Sequence, residues 1–174
     1  IDPPRPCPAA GAPSPARWRL RLLGGFALDD GVGAGVARLP SRAITLLLAR
    51  LALEPARAHG REELIELLWP GVDLAVGRNR MRHVLSTLKS VLEDDGLAPV
   101  IVADRMSLRV APGRLACDAL QFELACRAGD AERARSLYRG DLMPGFFDEW
   151  ITEERLRLQA LLDRLPSAES ASRL

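Results

Sequence analysis

Stretches of helical periodicity, separated by prolines and glycines, constrain the fold of this chain more than any other feature. Residues 44–51 carry Ile and Leu at intervals of three and four, between Ser41, a typical helix N-cap, and Pro55, a helix breaker. Residues 61–69 show a second such pattern, with Gly60 as its cap. Since only 5% of the residues are aromatic among 48% hydrophobic ones, aliphatic side chains must build the core. We therefore expect Leu-rich helices.

Strand-like patterns flank these helices. Residues 17–22 alternate Arg with Trp or Leu, the period of a strand with one wet face, and a return strand at 36–39 would complete a small antiparallel sheet. The Gly-rich run 31–35 lacks the Lys-Ser/Thr pair of a phosphate-binding loop, so we interpret it as a hairpin loop. Residues 100–110 predict a second hairpin, turning at Asp104-Arg105.

A third helix, predicted over residues 76–92, has an apolar and a basic side. Its apolar stripe consists of Met81, Val84, Leu85, Leu88 and Leu92. At about 100° per residue the opposite side carries Asn79, Arg82, His83, Ser86 and Ser90, flanked by Arg78, Arg80, Thr87 and Lys89. Between Val76 and Ser90 there are thus four fixed positive charges and no acid, although the whole chain has a net charge of only +1.

These residue types are the ones that read duplex DNA. Arg bonds bidentately to guanine and Asn to adenine, Ser and His contact base edges or phosphate, and Lys neutralises backbone charge. Arg105, at the tip of the predicted hairpin, could reach phosphates or the minor groove as a wing does. From the residues alone, an ordinary solvated basic face remains the alternative.

After Pro112-Gly113 the pattern predicts helices only. Asp118 and Gln121 are interpreted as an N-terminal capping pair for the first helix, and a short second helix follows. A long third helix is predicted over residues 146–165. The paired helices are compatible with the start of a TPR-like helical stack.

The motifs in this order resemble a known family. "REELIELLWPG", "NRMRHVLSTLKSVL" and "VIVADRMSLRV" resemble the OmpR-type winged helix of the bacterial SARP and AfsR-like regulators, and "ARSLYRGDLMPGFFDEWITEERLRL" resembles the start of their bacterial transcriptional activator domain. The resemblance covers about residues 17–166. It implies an α+β fold: a winged helix-turn-helix with an N-terminal antiparallel sheet and a C-terminal wing hairpin, followed by an all-α TPR-like segment.

The resemblance also implies a function and a domain organisation. The chain would be a sequence-specific transcriptional activator that places its third helix in the major groove of promoter DNA, binds direct repeats as a homodimer and recruits RNA polymerase. Arg82, Ser86 and Lys89 match the family's reading positions, and Arg105 its wing tip. The expected domains are a Pro-rich disordered leader (1–16), the DNA-binding domain (17–113), the helical segment (114–166) and a disordered tail (167–174).

An adaptor and an enzyme are the two other classes of function. A winged helix that binds proteins as an adaptor, and no DNA, is the alternative, because fold does not settle function. An enzyme is not expected, since HxxxH, GxSxG and paired Cys-His patterns are missing. The three cysteines form no CxxC pair, so we expect neither a metal nor a cofactor, and a reducing compartment. Without an apolar run of about 20 residues, the chain is expected to be soluble, cytoplasmic and nucleoid-associated, not bound to a membrane.

Overall fold

The computed structural model describes residues 16–31, 39–93 and 98–166. Several predictions concern residues outside these ranges. They concern the leader up to residue 15, all but the first and last residues of the Gly-rich loop (31–35) and return strand (36–39), the turn closing the third helix at 94–96, and the tail at 167–174.

Strands and helices alternate in the first part of the described chain, and helices dominate the second. The first part contains β1 (Trp18–Arg21), β2 (Ala27–Asp29), α1 (Arg42–Leu53), β3 (His59–Gly60), α2 (Arg61–Leu68), α3 (Leu74–Leu92), β4 (Ile101–Ala103) and β5 (Ser107–Val110). The second contains β6 (Leu115–Cys117), α4 (Asp118–Arg127), α5 (Ala131–Leu137) and α6 (Glu149–Asp163). No described helix has the length and apolar content that crossing a bilayer requires.

The first sheet has the order β2-β1-β6 and is mixed. Strand β1 pairs antiparallel with β2, at Leu20↔Leu28, and parallel with β6, at Leu20↔Cys117. The predictions of a purely antiparallel N-terminal sheet and of helices only after Gly113 were therefore wrong. Three residues are too few to show a period of two, and β6 forms because the second edge of β1 offers unpaired backbone groups.

The second sheet, with the order β3-β5-β4, contains the wing. Strands β4 and β5 pair antiparallel on either side of Asp104-Arg105, which confirms the predicted hairpin. The two-residue strand β3 was not predicted, and it pairs with β5 at His59↔Leu108. Strand β3 directly precedes α2, so this pairing connects the wing to the start of that helix.

Helix α1 lies at the centre of the core. Ser41 is its N-cap, as predicted, and the Ser41 hydroxyl accepts a hydrogen bond from the Ile44 amide at 3.3 Å. The predicted stripe at 44–51 is buried, but so are Thr45, Leu46, Ala49, Ala52 and Leu53. The helix is buried nearly all round because α2, α3 and α4 pack against it together with β5 and β6.

Helix α3 begins at Leu74, two residues before the predicted start. The Asp73 side chain accepts hydrogen bonds from the amides of Ala75 and Val76, at 3.0 and 3.2 Å, and so caps the helix. The predicted apolar stripe from Met81 to Leu92 is buried.

Two contacts at the C-terminal end of α3 hold it against the sheets. The Trp18 indole N–H donates to the Leu92 carbonyl at 2.9 Å, in a buried position. One carboxylate oxygen of Glu93 accepts from the amides of Val100 and Ile101, both at 3.0 Å, at the start of the wing. Helix ends leave carbonyls without a partner inside the helix, and the Trp18 indole supplies one.

The helical segment docks on the end of β1 through backbone groups. Asp118 is the first residue of α4 and not its N-cap as predicted, since its carboxylate turns towards β1. One oxygen of Asp118 accepts from the Leu22 amide at 2.8 Å and the other from the Leu23 amide at 3.2 Å. The Met143 amide donates to the Leu22 carbonyl at 2.7 Å. The predicted boundary after residue 113 stays a prediction, although one continuous hydrophobic core runs across it.

The loop before α6 is held by one side chain. The Arg155 guanidinium donates to the carbonyls of Leu142, Met143 and Phe146, at 2.9 to 3.1 Å. Met143 has a φ of 44°, which non-glycine residues rarely adopt. The predicted long helix therefore begins only at Glu149, because this loop occupies its expected first residues.

We expect Trp18→Phe to lower the free energy of unfolding by about 1 to 3 kcal/mol, because it leaves the buried Leu92 carbonyl without a donor. Urea denaturation followed by circular dichroism measures this change. Trp150→Phe is the matched control, since the buried Trp150 indole nitrogen has no hydrogen-bond partner to lose. Equal costs for the two variants would contradict a role for the indole hydrogen bond.

The buried His59 predicts a dependence of stability on pH. Burial, with Arg50 and Arg57 nearby, lowers the pKa of His59 below 6.5, although the Glu54 carbonyl and carboxylate oppose this. Below pH 6.5 the unfolded chain therefore binds a proton that the folded chain excludes, and stability falls as the pH falls, by at most about 1.4 kcal/mol per pH unit. Urea titrations between pH 7.5 and about 5 should show this loss in wild type and in His83→Gln, and a smaller loss in His59→Leu. If the free energy of unfolding of His59→Leu changed with pH as steeply as that of wild type, His59 would not be the cause of the pH dependence.

Candidate nucleic-acid interface

The predicted DNA-reading residues lie on the solvent side of α3 and on the wing. Arg78, Asn79, Arg80, Arg82, His83, Ser86 and Arg105 are exposed, and Thr87 and Lys89 are half-buried. The structure thus places the α3 residues on the side that the helical period predicts, and Arg105 at the turn of the predicted hairpin. It brings only some of them together.

A groove of about 480 Å³ separates α2, α3 and the wing. Arg78 and Arg82 of α3 line it together with Arg105 of the wing. Arg61, the first residue of α2, lines it too and was missed from the sequence. Four arginines from three elements therefore meet around one groove.

The position of Arg61 follows from the β3–β5 pairing. The Arg61 amide donates to the Met106 carbonyl and its Nε to the Asp104 carbonyl, both at 2.9 Å. These bonds attach the start of α2 to the wing. Three glutamates follow Arg61 in α2 and hide its basic character in the sequence, where the one signal for Arg61 is its place directly after the cap Gly60.

The turn of the wing is fixed by Asp104. One oxygen of its carboxylate accepts from the amides of Met106 and Ser107, both at 2.7 Å, and the other accepts from the Ser107 hydroxyl at 2.8 Å. The same hydrogen bonds, first that from Met106, lower the pKa of Asp104. The turn consequently presents Arg105 and Met106 to solvent, with Met106 71% exposed.

Neighbouring side chains modify the basic surface. Arg82 donates to the Asn79 side-chain oxygen at 2.9 Å, so these two predicted reading residues are already oriented together. Arg78 forms an ion pair with Glu62 at 2.6 Å, which partly neutralises the groove. Both partners are well exposed, and exposed pairs of this kind contribute at most about 1 kcal/mol.

Two other predicted residues contact the protein itself: Arg80 packs on an aromatic ring, and Thr87 hydrogen-bonds to the backbone of α3. The Arg80 guanidinium lies over the Trp69 ring, 6.0 Å from its centroid. The Thr87 hydroxyl donates to the His83 carbonyl at 3.0 Å, so it can only accept a bond from a ligand. Among the described residues no group of His, Cys, Asp and Glu could hold a metal ion.

Comparison with known proteins tests the fold. No protein-family model and no curated protein sequence matches the chain. A solved structure, Mycobacterium tuberculosis EmbR in complex with a low-affinity phosphopeptide, matches with a TM-score of 0.63 and 22% sequence identity. The likeness shows the fold. The match covers 84% of this chain and 42% of the EmbR chain, so the chain spans less than half of that protein.

The likeness confirms the predicted fold class, a winged helix followed by helices, with the mixed sheet as the correction described above. It agrees with the winged-helix and helical arrangement that the sequence motifs imply. At 22% identity it says nothing further about what this chain binds.

The close approach of α3 to α2 depends on Gly77. A Cβ atom at this buried position would lie 2.3 Å from the Ile65 Cγ2 methyl and 3.3 Å from Val72. Ile65 is itself buried and β-branched, so its side chain has little freedom to move away. The missing side chain therefore lets α3 sit close to α2 beside the groove.

We expect Gly77→Ala to lower the free energy of unfolding by about 1 to 3 kcal/mol, because overpacking outweighs the gain in helix propensity of at most about 1 kcal/mol. Chemical denaturation measures this change. In an Ile65→Ala background the clash is removed and the same substitution should stabilise the protein. A stabilising Gly77→Ala with Ile65 intact would contradict the packing argument.

Proposed function

We propose that this chain is a transcriptional regulator of the SARP type that binds duplex DNA through α3 and the wing. The observation that carries the proposal is the convergence of Arg61, Arg78, Arg82 and Arg105 around one groove. The groove borders the solvent face of α3, which carries no acid between Val76 and Ser90. A helix of this kind fits the major groove, and the wing then lies along the backbone or the adjacent minor groove.

The side chains take different roles in this proposal. Arg82 and Asn79, hydrogen-bonded to each other, read base edges together with His83 and Ser86. Lys89, half-buried on α3, and Arg61, at the start of α2, contact phosphates and set the position of the helix. Arg105 extends from a turn that Asp104 holds in one conformation, so less entropy is lost when it contacts DNA.

The family resemblance extends the proposal to the partners. A homodimer on direct repeats of promoter DNA, activation through RNA polymerase and a cytoplasmic, nucleoid-associated location belong to it. The role is that of a regulator and not of an enzyme.

An adaptor that binds protein through the same surface is the second candidate. The exposed apolar residues Met106, Leu74 and Val76 favour it, because they are 71%, 39% and 42% exposed at the wing and at the start of α3. Exposed apolar side chains of this kind often contact another protein. The Glu62–Arg78 ion pair also weakens the positive charge that DNA requires.

DNA binding is tested by fluorescence anisotropy with duplexes selected from a random library. Affinity should fall steeply as salt rises, because bound phosphates release counterions. Arg82→Ala should cost about 1 to 3 kcal/mol and relax the base preference, whereas Lys89→Ala should weaken binding evenly across sequences. Arg133→Ala, an exposed position of α5 away from α3 and the wing, is the matched control and should leave binding unchanged.

Two results would contradict DNA binding through α3 and the wing. If no duplex binds at about 50 mM salt, even when a dimer is enforced by a fused dimerisation domain, the adaptor function is favoured. If Arg82→Ala, Lys89→Ala and Arg133→Ala have equal effects, the DNA-binding surface lies elsewhere.

A further inference from the structure

A second cavity, also of about 480 Å³, lies on the far side of the first sheet, where β1 and β6 meet the beginning of α4 and the end of α5. Arg19 and Arg21 of β1 line it, together with Arg139, which follows α5. We call this cavity the arginine cleft. Asp29, Asp118 and Gln121 complete its polar lining.

The strand period and a tight backbone contact place these arginines. Trp18 and Leu20 face the core, so Arg19 and Arg21 occupy the opposite face of β1. Arg139 is brought to that face by Gly24, since a Cβ atom there would lie 3.0 Å from the Arg139 carbonyl oxygen. Gly24 also has a φ of +78°, which favours glycine.

Within the described part of the chain, the three guanidinium groups form no hydrogen bond or ion pair, although the charge of Arg139 acts on the Asp118 carboxylate of the same cleft. Among residues 16–31, 39–93 and 98–166, no hydrogen bond or ion pair to the side chain of Arg19, Arg21 or Arg139 is found. The arginines at positions 50, 57 and 157, by contrast, each pair with a glutamate. Three unpaired guanidinium groups around one concavity create a positive potential that an anion would relieve.

The two acids of the cleft are engaged with the backbone. The Asp118 carboxylate accepts from the Leu22, Leu23 and Ala119 amides. Asp29 accepts from the Gly31 amide at 3.0 Å. With three guanidinium groups against two carboxylates, the lining keeps a net positive charge.

The arginine cleft and the α3 surface lie on different sides of the molecule. The Trp18 side chain points inward and reaches the Leu92 carbonyl at the end of α3. Arg19 and Arg21 therefore point away from α3, with the core between them and the groove of the wing. A duplex bound along α3 does not account for them.

We propose that the arginine cleft binds a small phosphate monoester, with the phosphate held by Arg19, Arg21 and Arg139. Guanidinium groups bind phosphate oxygens bidentately, and three of them match a dianion better than a single carboxylate. The volume lies within the range of small-molecule sites and exceeds that of phosphate alone. The organic part of the ligand rests on Leu137 and Ala116, and the Gln121 amide bonds to its polar groups.

Such a ligand would connect two parts of the chain. Arg19 and Arg21 belong to the first sheet, whereas Arg139 and Gln121 belong to the helical segment. A phosphate held by both groups stabilises their docking, because it binds only the docked arrangement. The proposal does not depend on DNA binding.

Isothermal titration calorimetry without DNA tests the proposal, with adenosine monophosphate as the probe and adenosine and inorganic phosphate as matched compounds. Adenosine monophosphate should bind and raise the melting temperature, and adenosine should bind at least about tenfold more weakly. Arg21→Gln and Arg139→Gln should each weaken binding about tenfold or more, since each loses charge-assisted hydrogen bonds. Arg133→Gln, which removes the same charge outside the cleft, should change affinity by less than about twofold.

Three results would overturn the proposal. The first is no heat and no thermal shift with adenosine monophosphate or inorganic phosphate at about 1 mM. The second is an equal loss in Arg133→Gln and Arg139→Gln, or a loss in Arg82→Ala, which would place the phosphate outside the cleft or in the groove of the wing. The third is binding of a polyglutamate peptide that depends on Arg21 and Arg139 while adenosine monophosphate does not bind, which would assign the cleft to an acidic protein segment. Circular dichroism of each variant confirms that a loss of binding is not a loss of fold.

Discussion

The parallel pairing of β1 with β6 is the constraint on which the rest of the structure depends. The two strands are neighbours in the sheet, although α1, α2, α3 and the wing all lie between them in the chain. The chain between β1 and β6 must therefore leave the sheet and return beside β1. A parallel pair of strands always needs such a long connection. The same pairing delivers Asp118 to the end of β1, where its carboxylate holds the amides of Leu22 and Leu23. The winged helix and the first helix after it thus share one sheet and one core.

Contacts at both ends of α3 hold it against the first sheet, α2 and the wing. At its start, Asp73 supplies the cap and Gly77 permits the close contact with Ile65. At its end, Trp18 of β1 binds the last carbonyl, and Glu93 binds the first amides of the wing. The position of the exposed face of α3 relative to the wing is consequently set by contacts within the protein. The proposed DNA-reading surface would need such preorganisation, because little conformational freedom then remains to be lost on binding.

The elements that could be predicted are those whose signal lies within a few residues. The alternation at β1, the caps Ser41 and Gly60, and the two faces of α3 follow from local periodicity and local hydrogen bonds. Strands β3 and β6 could not be predicted, because two or three residues carry no period and their partners lie far away in the chain. For the same reason the sequence predicts Asp118 as a local cap, whereas its carboxylate accepts hydrogen bonds from the amides of Leu22 and Leu23, far earlier in the chain. On the candidate site, helical spacing found Arg82 and its neighbours, but Arg61 joins them only through the β3–β5 pairing.

The hydrogen bonds of Arg155 affect how easily a protease can cleave the loop before α6. The segment from Leu142 to Phe147 contains Pro144, Gly145 and an exposed Phe147, a composition that ordinarily marks a cleavable surface loop. A protease must draw several residues of its substrate into an extended conformation. Here one guanidinium holds three carbonyls of the segment, and the Met143 amide is bound to Leu22 of the sheet. Local opening around the exposed Phe147 must break these hydrogen bonds, so we expect cleavage there to require the separation of α6 from the loop.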